Sequence, residues 1–392
     1  MMRLFSLTAL AVVLLANFAS AQSCGGDFNT FLNGLKKEAV SLGHSRSIAN
    51  RFFRTAAIDP KVLRADRAQG IFKMTFTDFS GRVISQNRMT HGKRNADKYA
   101  SVFARAEQEY GVSRGVILAF WALETDYGAV QGDFNTLNAL VTLSHDCRRP
   151  ELFRPQIFAA LDLYKRGDFD PVNTTGAWAG EIGMVQMLPE DIRDRGVDGD
   201  GDGRVTLKTS APDAIMTGAR MLRDLGWQAG QPWLVEVSVP SGLNWRKTGL
   251  DHEKKVSAWA ALGVKAKSGK LPNGSLKASI LLPQGRKGPA FLAMPNYRVY
   301  FEWNKSFVYV TTAAYFATRL SGAPRYDAGN PDPALSDAEM KSLQRKLKAR
   351  GHDVGKVDGI LGKLTRAAVQ KEQIRLGHPA DAWPTRKLLN AL

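Results

Sequence analysis

The chain has 392 residues, of which 44% are hydrophobic and 23% charged, a composition that fits a globular protein of about two or three domains and excludes a disordered chain. Lys and Arg total 54 against 37 Asp and Glu, which gives a formal net charge of +17. This basic balance favours an anionic partner, but charge alone does not separate nucleic acid, a membrane surface and an acidic polymer.

Residues 1–21 have the pattern of a secretory signal peptide. Arg3 precedes an apolar run, and the Ala-Ser-Ala sequence at 19–21 fits a cleavage site with small residues. The run is too short to span a bilayer comfortably and no other apolar stretch is long enough, so we expect no integral membrane segment after cleavage. Lipoprotein anchoring at Cys24 is an alternative, but the residues before it are a poor context for lipid attachment. We therefore expect an exported, periplasmic protein, and export argues against nucleic acid as the partner.

The mature chain keeps two cysteines, Cys24 and Cys147. In an oxidising compartment an isolated pair usually joins, so we predict a disulfide between the mature N-terminus and the segment at 147. The alternative is two free, buried thiols. Two cysteines alone cannot form a structural zinc site.

Hydrophobic spacing divides the rest of the chain. Apolar residues recur at helical intervals from Phe28 through residue 166, which predicts a first half that is nearly all α. Residues 232–310 are mixed: the pattern predicts strands at 235–240 and 298–303, and a helix follows from Tyr309 to Leu320. Residues 321–335 are rich in Gly, Pro and Asp with little to bury, which predicts a linker. Residues 336–392 have an apolar pattern of their own, which predicts a small helical domain.

One helix carries the strongest chemical signal. The stretch 114–128 is RGVILAFWALETDYG, with Ser113 as the predicted N-cap and Gly128 as the predicted C-terminal stop. Eight consecutive apolar residues lead into Glu124, which indicates a buried helix ending in a carboxylate. Desolvation raises the pKa of such a group and keeps it protonated, as a general acid requires. The alternative is a structural Glu paired with an Arg.

The C-terminal segment contains Leu343-Gln344, followed by VDGILGKLT at 357–365 and Ala368-Val369. This spacing resembles the small three-helix peptidoglycan-binding domain. The Asp-Gly pair makes a tight turn and Thr365 can cap the next helix. The aromatic-Gln pair that usually follows in this family is replaced by QKE at 370–372. A generic helical cap is the alternative.

The region around Glu124, FWALETDYGAVQGDFNTLNALVTLSHDCRRPELF, resembles lytic murein transglycosylases of the B family. These lysozyme-like enzymes cut the MurNAc–GlcNAc bond of peptidoglycan without water and leave 1,6-anhydro-MurNAc ends. The resemblance runs from about Phe28 to Leu320, with further blocks at 66–70, 176–189, 197–204, 225–233 and 296–309. It implies a mainly α fold: a lysozyme-like catalytic domain at 22–320 with a small β portion, then the linker and the three-helix domain.

The resemblance also assigns roles. It implies a single catalytic acid/base at Glu124, peptidoglycan glycan strands as the partner, no cofactor required for the chemistry, and a monomer. Asp126, two residues on, faces away on a helix and is expected at the helix end or in solvent. The substrate-binding residues implied by the match are Gln186, Arg148, Arg149, Asn304, Ser306 and Tyr309. For the two arginines, salt bridges at a helix start are the alternative.

The block at 176–189 departs from the family. Ala177 replaces a serine thought to orient the catalytic Glu, Glu181 replaces a small residue, and Val185 replaces a glycine near the groove. We expect Glu181 at a solvated hairpin position. Two alternatives follow: a catalytically weakened wall-binding protein on the same scaffold, or a water-using muramidase with Glu181 as second carboxylate.

The acidic loop DGDGDGR places Asp198, Asp200 and Asp202 at alternate positions, with the backbone oxygen of Arg204 next in line. Oxygen ligands at this spacing are typical of a calcium loop, although the loop lacks the final Glu of an EF-hand. Asp213 is the candidate late ligand. We predict a structural Ca²⁺ or Na⁺ without a catalytic role; the alternative is a solvated Asp-Gly turn.

Overall fold

The computed structural model describes residues 24–68 and 73–392, so the predicted signal peptide and part of the 66–70 block lie outside the described residues. As predicted, the described chain is mainly helical with a small β portion. No helix in these ranges is both long and apolar enough to cross a bilayer. The helices are α1 Phe28–Ser41, α2 Arg46–Phe52, α3 Pro60–Arg67, α4 Phe76–Val83, α5 Gln86–Lys98, α6 Ala100–Tyr110, α7 Arg114–Thr125, α8 Thr136–His145, α9 Pro150–Arg166, α10 Pro189–Arg195, α11 Ala211–Asp224, α12 Val256–Ala261, α13 Pro295–Trp303, α14 Phe307–Leu320, α15 Asp337–Ala349, α16 Lys363–Arg375 and α17 Arg386–Ala391. The strands are β1 Phe134–Asn135, β2 Thr175–Gly176, β3 Leu234–Ser238, β4 Lys254–Lys255, β5 Lys265–Ala266, β6 Lys277–Leu281 and β7 Phe291–Ala293.

Helix α7 lies at the centre of the main hydrophobic core and packs along α14. Ser113 occupies its N-cap position but makes no side-chain capping bond. The helix ends at Thr125, before the predicted stop at Gly128, because Asp126 already turns left-handed with φ 52°. An ion pair from Arg88 Nε to Asp126 Oδ1, 2.9 Å long, accompanies that conformation. The early turn leaves Glu124 in the last turn of a helix that is otherwise almost completely buried.

The predicted disulfide is confirmed: Cys24 and Cys147 are bonded, with Cα atoms 5.2 Å apart. The backbone N–H of Gly25 donates to the carbonyl of His145 at 2.9 Å beside the bond. The first described residues are therefore fixed to the end of α8, next to the loop that leads into α9.

A five-stranded antiparallel sheet, in the order β4-β6-β7-β3-β5, forms the β portion. Its β3 corresponds to the strand predicted at 235–240. One face of the sheet covers a second core built around Trp259, Ile280 and Leu292. The sheet lies between α11 and α13 in the chain and thus brings α13 back toward α7.

The strand predicted at 298–303 is wrong, because these residues belong to α13. Aromatic and β-branched residues suggested a strand, but Pro295 occupies the first helical turn, where its fixed φ favours a helix. Tyr297 and Tyr300, three residues apart, are both fully buried on one helical face. Tyr300 stacks on Phe120 of α7 with ring centroids 5.1 Å apart.

Residues 321–335 bury more than the sequence suggested. The Tyr326 hydroxyl lies 2.9 Å from Ser80 Oγ, and its ring packs on Phe76 with centroids 5.2 Å apart. The segment therefore runs along the main core instead of spanning open solvent. After it, α15 begins with a capping box between Ser336 and Glu339, and α15 to α17 enclose a third, separate core.

Candidate active site

Glu124 lies partly buried at the end of α7, and two side chains hold one of its oxygens. Trp303 Nε1 donates to Glu124 Oε1 at 3.0 Å, and the Tyr309 hydroxyl donates to the same oxygen. The other oxygen, Oε2, accepts no hydrogen bond from any described residue and is accessible to solvent. Because Oε1 already accepts two hydrogen bonds, the proton of the neutral acid belongs on Oε2, the open oxygen.

Burial raises the pKa of Glu124 to about 6. The hydrogen bonds from Tyr309 and Trp303 oppose this rise, since they stabilise the carboxylate, while the nearby charge of Glu181 adds to it. The desolvation effect is the largest of these. Glu124 is therefore a carboxylic acid that exchanges its proton close to neutral pH, as expected for a general acid and base.

The corner between α13 and α14 positions both donors. Asn304 Oδ1 accepts the backbone N–H of Ser306 at 2.8 Å, and Ser306 caps α14 by accepting the N–H of Tyr309 at 3.4 Å. Asn304 and Ser306, predicted as substrate-binding residues, thus also build the corner. Tyr309, also predicted to bind substrate, contacts the Glu124 carboxylate directly. Burial raises its pKa well above the usual value, so it remains a neutral donor.

Trp303 was missed from the sequence. Its ring stacks on Phe120, one helical turn before Glu124, with centroids 4.2 Å apart. This contact aims the indole N–H at the carboxylate. The available sequence signal for Trp303 was its position directly before the predicted substrate residue Asn304, but residues 298–303 were predicted as a strand.

The predicted substrate residue Gln186 lies on a tight hairpin closed by the pairing of Ile182 with Met187. Gln186 has φ 51°, an uncommon conformation for a residue with a side chain. Its Nε2 donates to the carbonyl of Gly183 at 2.9 Å and to that of Gln131 at 3.3 Å. The amide nitrogen is thus fixed, and within the described ranges its oxygen accepts no hydrogen bond.

We expected Glu181 at a solvated hairpin position, but in the structure it does not lie in solvent. It is partly buried, and its Oε2 is shielded from solvent without a hydrogen-bond partner among the described residues. Burial raises its pKa, while the charge of Arg149 lowers it. The Gly-rich sequence suggested an open hairpin, but the Ala177 N–H donates to the Glu181 carbonyl at 2.9 Å and folds the turn inward. Val185, expected near the groove, is 1% exposed in the main core.

Arg148 and Arg149 both pair with Asp66, a residue of α3 that is 2% exposed. Arg148 Nη2 lies 2.9 Å from Asp66 Oδ1. The salt-bridge alternative thus describes their present contacts, although the partner lies on α3 and not at the start of α9. Both arginine side chains remain more than a third exposed, Arg148 at 44% and Arg149 at 35%.

The carboxylate oxygens of Asp198, Asp200 and Asp202 lie within 4.8 Å of one another. Three like charges this close, on oxygen ligands, fit a hard cation such as Ca²⁺. Asp213 is not part of the cluster: it is fully buried and accepts the backbone N–H of Gly199 at 2.8 Å. Its other oxygen accepts the N–H of Thr206 at 2.7 Å. Asp213 therefore braces the two ends of the loop from the first turn of α11.

Two family models match the chain. Residues 27–318 match the transglycosylase SLT domain, and residues 336–392 match the putative peptidoglycan binding domain. The membrane-bound lytic murein transglycosylase B of Escherichia coli is 28% identical over 229 residues, which are 58% of this chain and 62% of that protein. The chain thus spans less than two thirds of the length of this relative.

Solved structures agree with the family models. SltB3 of Pseudomonas aeruginosa, in complex with NAG-anhNAM-pentapeptide, superposes with a TM-score of 0.85 at 34% identity and covers 94% of this chain and 99% of its own. Slt35 of Escherichia coli, in complex with calcium, superposes with a TM-score of 0.64 at 26% identity and covers 78% and 97%. The chain is a member of the transglycosylase SLT domain family, related to lytic murein transglycosylase B, with a peptidoglycan-binding domain at its C-terminus.

Proposed function

We propose that this protein is an exported lytic transglycosylase that cleaves the MurNAc–GlcNAc bond of peptidoglycan without water. The observation that carries the proposal is the Glu124 carboxyl group: its pKa is about 6, one oxygen is held by Trp303 and Tyr309, and the other is open. One carboxyl group suffices for this reaction, whereas hydrolytic glycosidases normally use two.

In the first step, neutral Glu124 donates its Oε2 proton to the glycosidic oxygen while the bond from that oxygen to C1 of MurNAc breaks. The GlcNAc side leaves as an alcohol. The Glu124 carboxylate then takes the proton of the MurNAc C6 hydroxyl, whose oxygen bonds to C1 and closes the 1,6-anhydro ring. Glu124 returns to its neutral form, and no water is consumed.

The remaining site residues have supporting roles in this proposal. The free amide oxygen of Gln186 and the half-exposed guanidinium groups of Arg148 and Arg149 bind the glycan and its acidic substituents. Asn304 and Ser306 hold the corner that orients Trp303 and Tyr309. Asn304 Oδ1 accepts the N–H of Ser306 at 2.8 Å, and Ser306 Oγ accepts the N–H of Tyr309 at 3.4 Å.

We also propose a structural cation at the acidic loop. The three clustered Asp carboxylates, Asp198, Asp200 and Asp202, would hold Ca²⁺ or Na⁺, which lowers their mutual repulsion and stiffens the loop. No step of the reaction depends on it. The bond between Cys24 and Cys147 supports export, since disulfides persist in oxidising compartments such as the periplasm.

The test is digestion of purified sacculi followed by mass spectrometry of the soluble products. We expect muropeptides with anhydro ends. Reducing ends would instead support a water-using muramidase, an alternative that the shielded carboxylate of Glu181 favours. No soluble product combined with tight sedimentation on sacculi would support a wall-binding protein weakened by Ala177.

Glu124→Gln keeps the shape of the side chain and removes the acid. We expect it to abolish product release and to leave sedimentation on sacculi unchanged. Glu107→Gln, at an exposed position on α6, is the matched control and should behave as wild type. Continued release by Glu124→Gln would remove the basis of the proposal.

A further inference from the structure

A cavity of about 400 Å³ lies where the C-terminal domain meets the β portion and α13. Helix α16 forms one side with Arg366 and Gln370, while Leu281 of β6 and Phe301 of α13 form the other. Gln370 Nε2 also donates to the carbonyl of Trp245 at 3.3 Å, which ties the two sides together. Small-ligand sites have volumes of about 300–1,000 Å³, so the cavity is large enough to bind one.

Arg366 is an unusual residue in this wall. Its Nη2 donates to the carbonyl of Pro283 at 2.6 Å, and its guanidinium lies 4.5 Å from the ring centroid of Phe307. Nε is shielded and has no hydrogen-bond partner in the described part of the chain. Nη1 has no protein partner there either, and it is not shielded. A buried cation is costly unless an anion pairs with it.

The other charges around the cavity are already matched. Lys363 lies 3.5 Å from Asp251, and Arg298 lies 2.9 Å from Glu253. Glu302, the remaining carboxylate of this side, pairs with Lys305 at 3.0 Å.

Asp381 is a carboxylate of the cavity wall whose charge partly opposes the lowering of the Arg366 pKa by burial, and among the described residues the two form no ion pair. It accepts the backbone N–H of Arg286 at 3.0 Å and that of Trp383 at 3.1 Å. The Gln373 amide donates to it as well, at 2.9 Å. Asp381 is thus occupied by neutral donors, and Arg366 keeps an unsatisfied N–H group.

We propose that this cavity binds the C-terminal carboxylate of a short peptide, of the kind that forms peptidoglycan stems, with Arg366 as the carboxylate-binding residue. The choice of peptide rests on the proposed function. The wall formed by Leu281, Phe301 and Ala367 suits the small apolar side chain next to such a carboxylate. Burial lowers the pKa of Arg366 to about 10, which still leaves the guanidinium charged at neutral pH.

The position of the cavity gives such binding a role in the reaction. Phe301 precedes Trp303 on α13, and Phe307 precedes Tyr309 on α14. Glu302 and Phe307 both line the cavity, so Trp303 directly follows one wall residue and Tyr309 lies two residues after the other. A stem bound here would be anchored to the corner that orients the catalytic carboxylate.

The test is calorimetric titration of the full chain with a synthetic stem pentapeptide that ends in D-Ala-D-Ala. We expect the free acid to bind and its C-terminal amide to bind at least ten-fold more weakly. Arg366→Gln should also weaken binding of the free acid at least ten-fold. Arg345→Gln, an exposed arginine of α15, is the matched control and should bind as wild type.

Ala367→Phe fills the cavity without altering Arg366 and should also abolish binding, which keeps the test decisive if Arg366→Gln fails to fold. Inorganic phosphate at the same concentration should not compete. Equal binding of the amide, full competition by phosphate, or wild-type binding by the filled cavity would overturn the proposal. Because a stem without sugar is not cleaved, Glu124→Gln should bind it like wild type, so the outcome is independent of catalytic activity.

Discussion

The hydrogen bond from Tyr309 to Glu124 gives a quantitative prediction. Tyr309→Phe removes the hydroxyl that donates to Oε1 and keeps the ring. A hydrogen bond to a charged group contributes about 1.5–3 kcal/mol. Since about 1.36 kcal/mol corresponds to one pKa unit, its loss should raise the pKa of Glu124 by about 1–2 units above its present value of about 6.

The direction follows from the charge state that the bond favours. The Tyr309 hydroxyl stabilises the carboxylate, so its removal favours the neutral acid, which the first step needs. We expect the basic limb of the pH profile of kcat/KM to move upward by about 1–2 pH units. The maximal rate should fall because only Trp303 still orients Oε1. The assay is release of anhydro-muropeptides from sacculi across a pH series.

Tyr300→Phe is the matched control. Tyr300 is fully buried like Tyr309, but its hydroxyl has no hydrogen-bond partner among the residues that the structure describes. Its loss should leave the pH profile in place. If Tyr309→Phe lowers the rate but keeps the wild-type basic limb, the hydrogen bond does not tune Glu124 and our explanation of its pKa is refuted.

Four further predictions follow from the same structure. The folded-state pKa of Glu124 is about 6 against an ordinary value of 4.5, so ionisation of this carboxyl group is penalised in the fold. Glu124→Gln should be about 2 kcal/mol more stable than wild type well above pH 6 and equal to it below pH 4.5, and a pH-independent difference in urea unfolding would contradict this. Glu181→Ala removes a negative charge that raises the pKa of Glu124, so the basic limb of the pH profile should move to lower pH while products with anhydro ends are still formed. Loss of all product in this variant would favour Glu181 as a second catalytic carboxylate. Ca²⁺ should raise the Tm of wild type but not of Asp200→Asn, and an equal rise in both would remove the loop as the binding site. Cys24→Ser opens a disulfide that spans 123 residues and should lower the free energy of unfolding by about 3–5 kcal/mol, an effect that reductant should reproduce in wild type but not in the variant.

Local patterns predicted the features that depend on nearby residues. The apolar run before Glu124 indicated a buried helix, and α7 is buried at nearly every position. The cysteine pair predicted the bond between Cys24 and Cys147, because an isolated pair usually joins in an oxidising compartment. The spacing of the acidic loop likewise predicted the clustering of its three Asp carboxylates.

Features that depend on distant packing were not predictable. The helix at 298–303 was interpreted as a strand because its aromatic residues favour either structure until their neighbours are known. The burial of Glu181 depends on a turn held by its own carbonyl, which leaves no pattern in the side chains. Asp213 lies one residue beyond the spacing expected for a late ligand, and from the first turn of α11 its carboxylate accepts two backbone N–H groups of the loop.

We expect the alanine at position 177, where the family resemblance implies a serine, to have little effect on activity because other residues hold Glu124. Trp303 and Tyr309, 179 and 185 residues away in the sequence, both donate to Oε1. The buried Tyr309 and the partly buried Trp303 thus hold the carboxylate without a serine hydroxyl at position 177. Ala177→Ser should therefore raise the rate much less than Tyr309→Phe lowers it. A larger gain from the serine would mean that the hairpin, and not the corner between α13 and α14, controls the catalytic carboxylate.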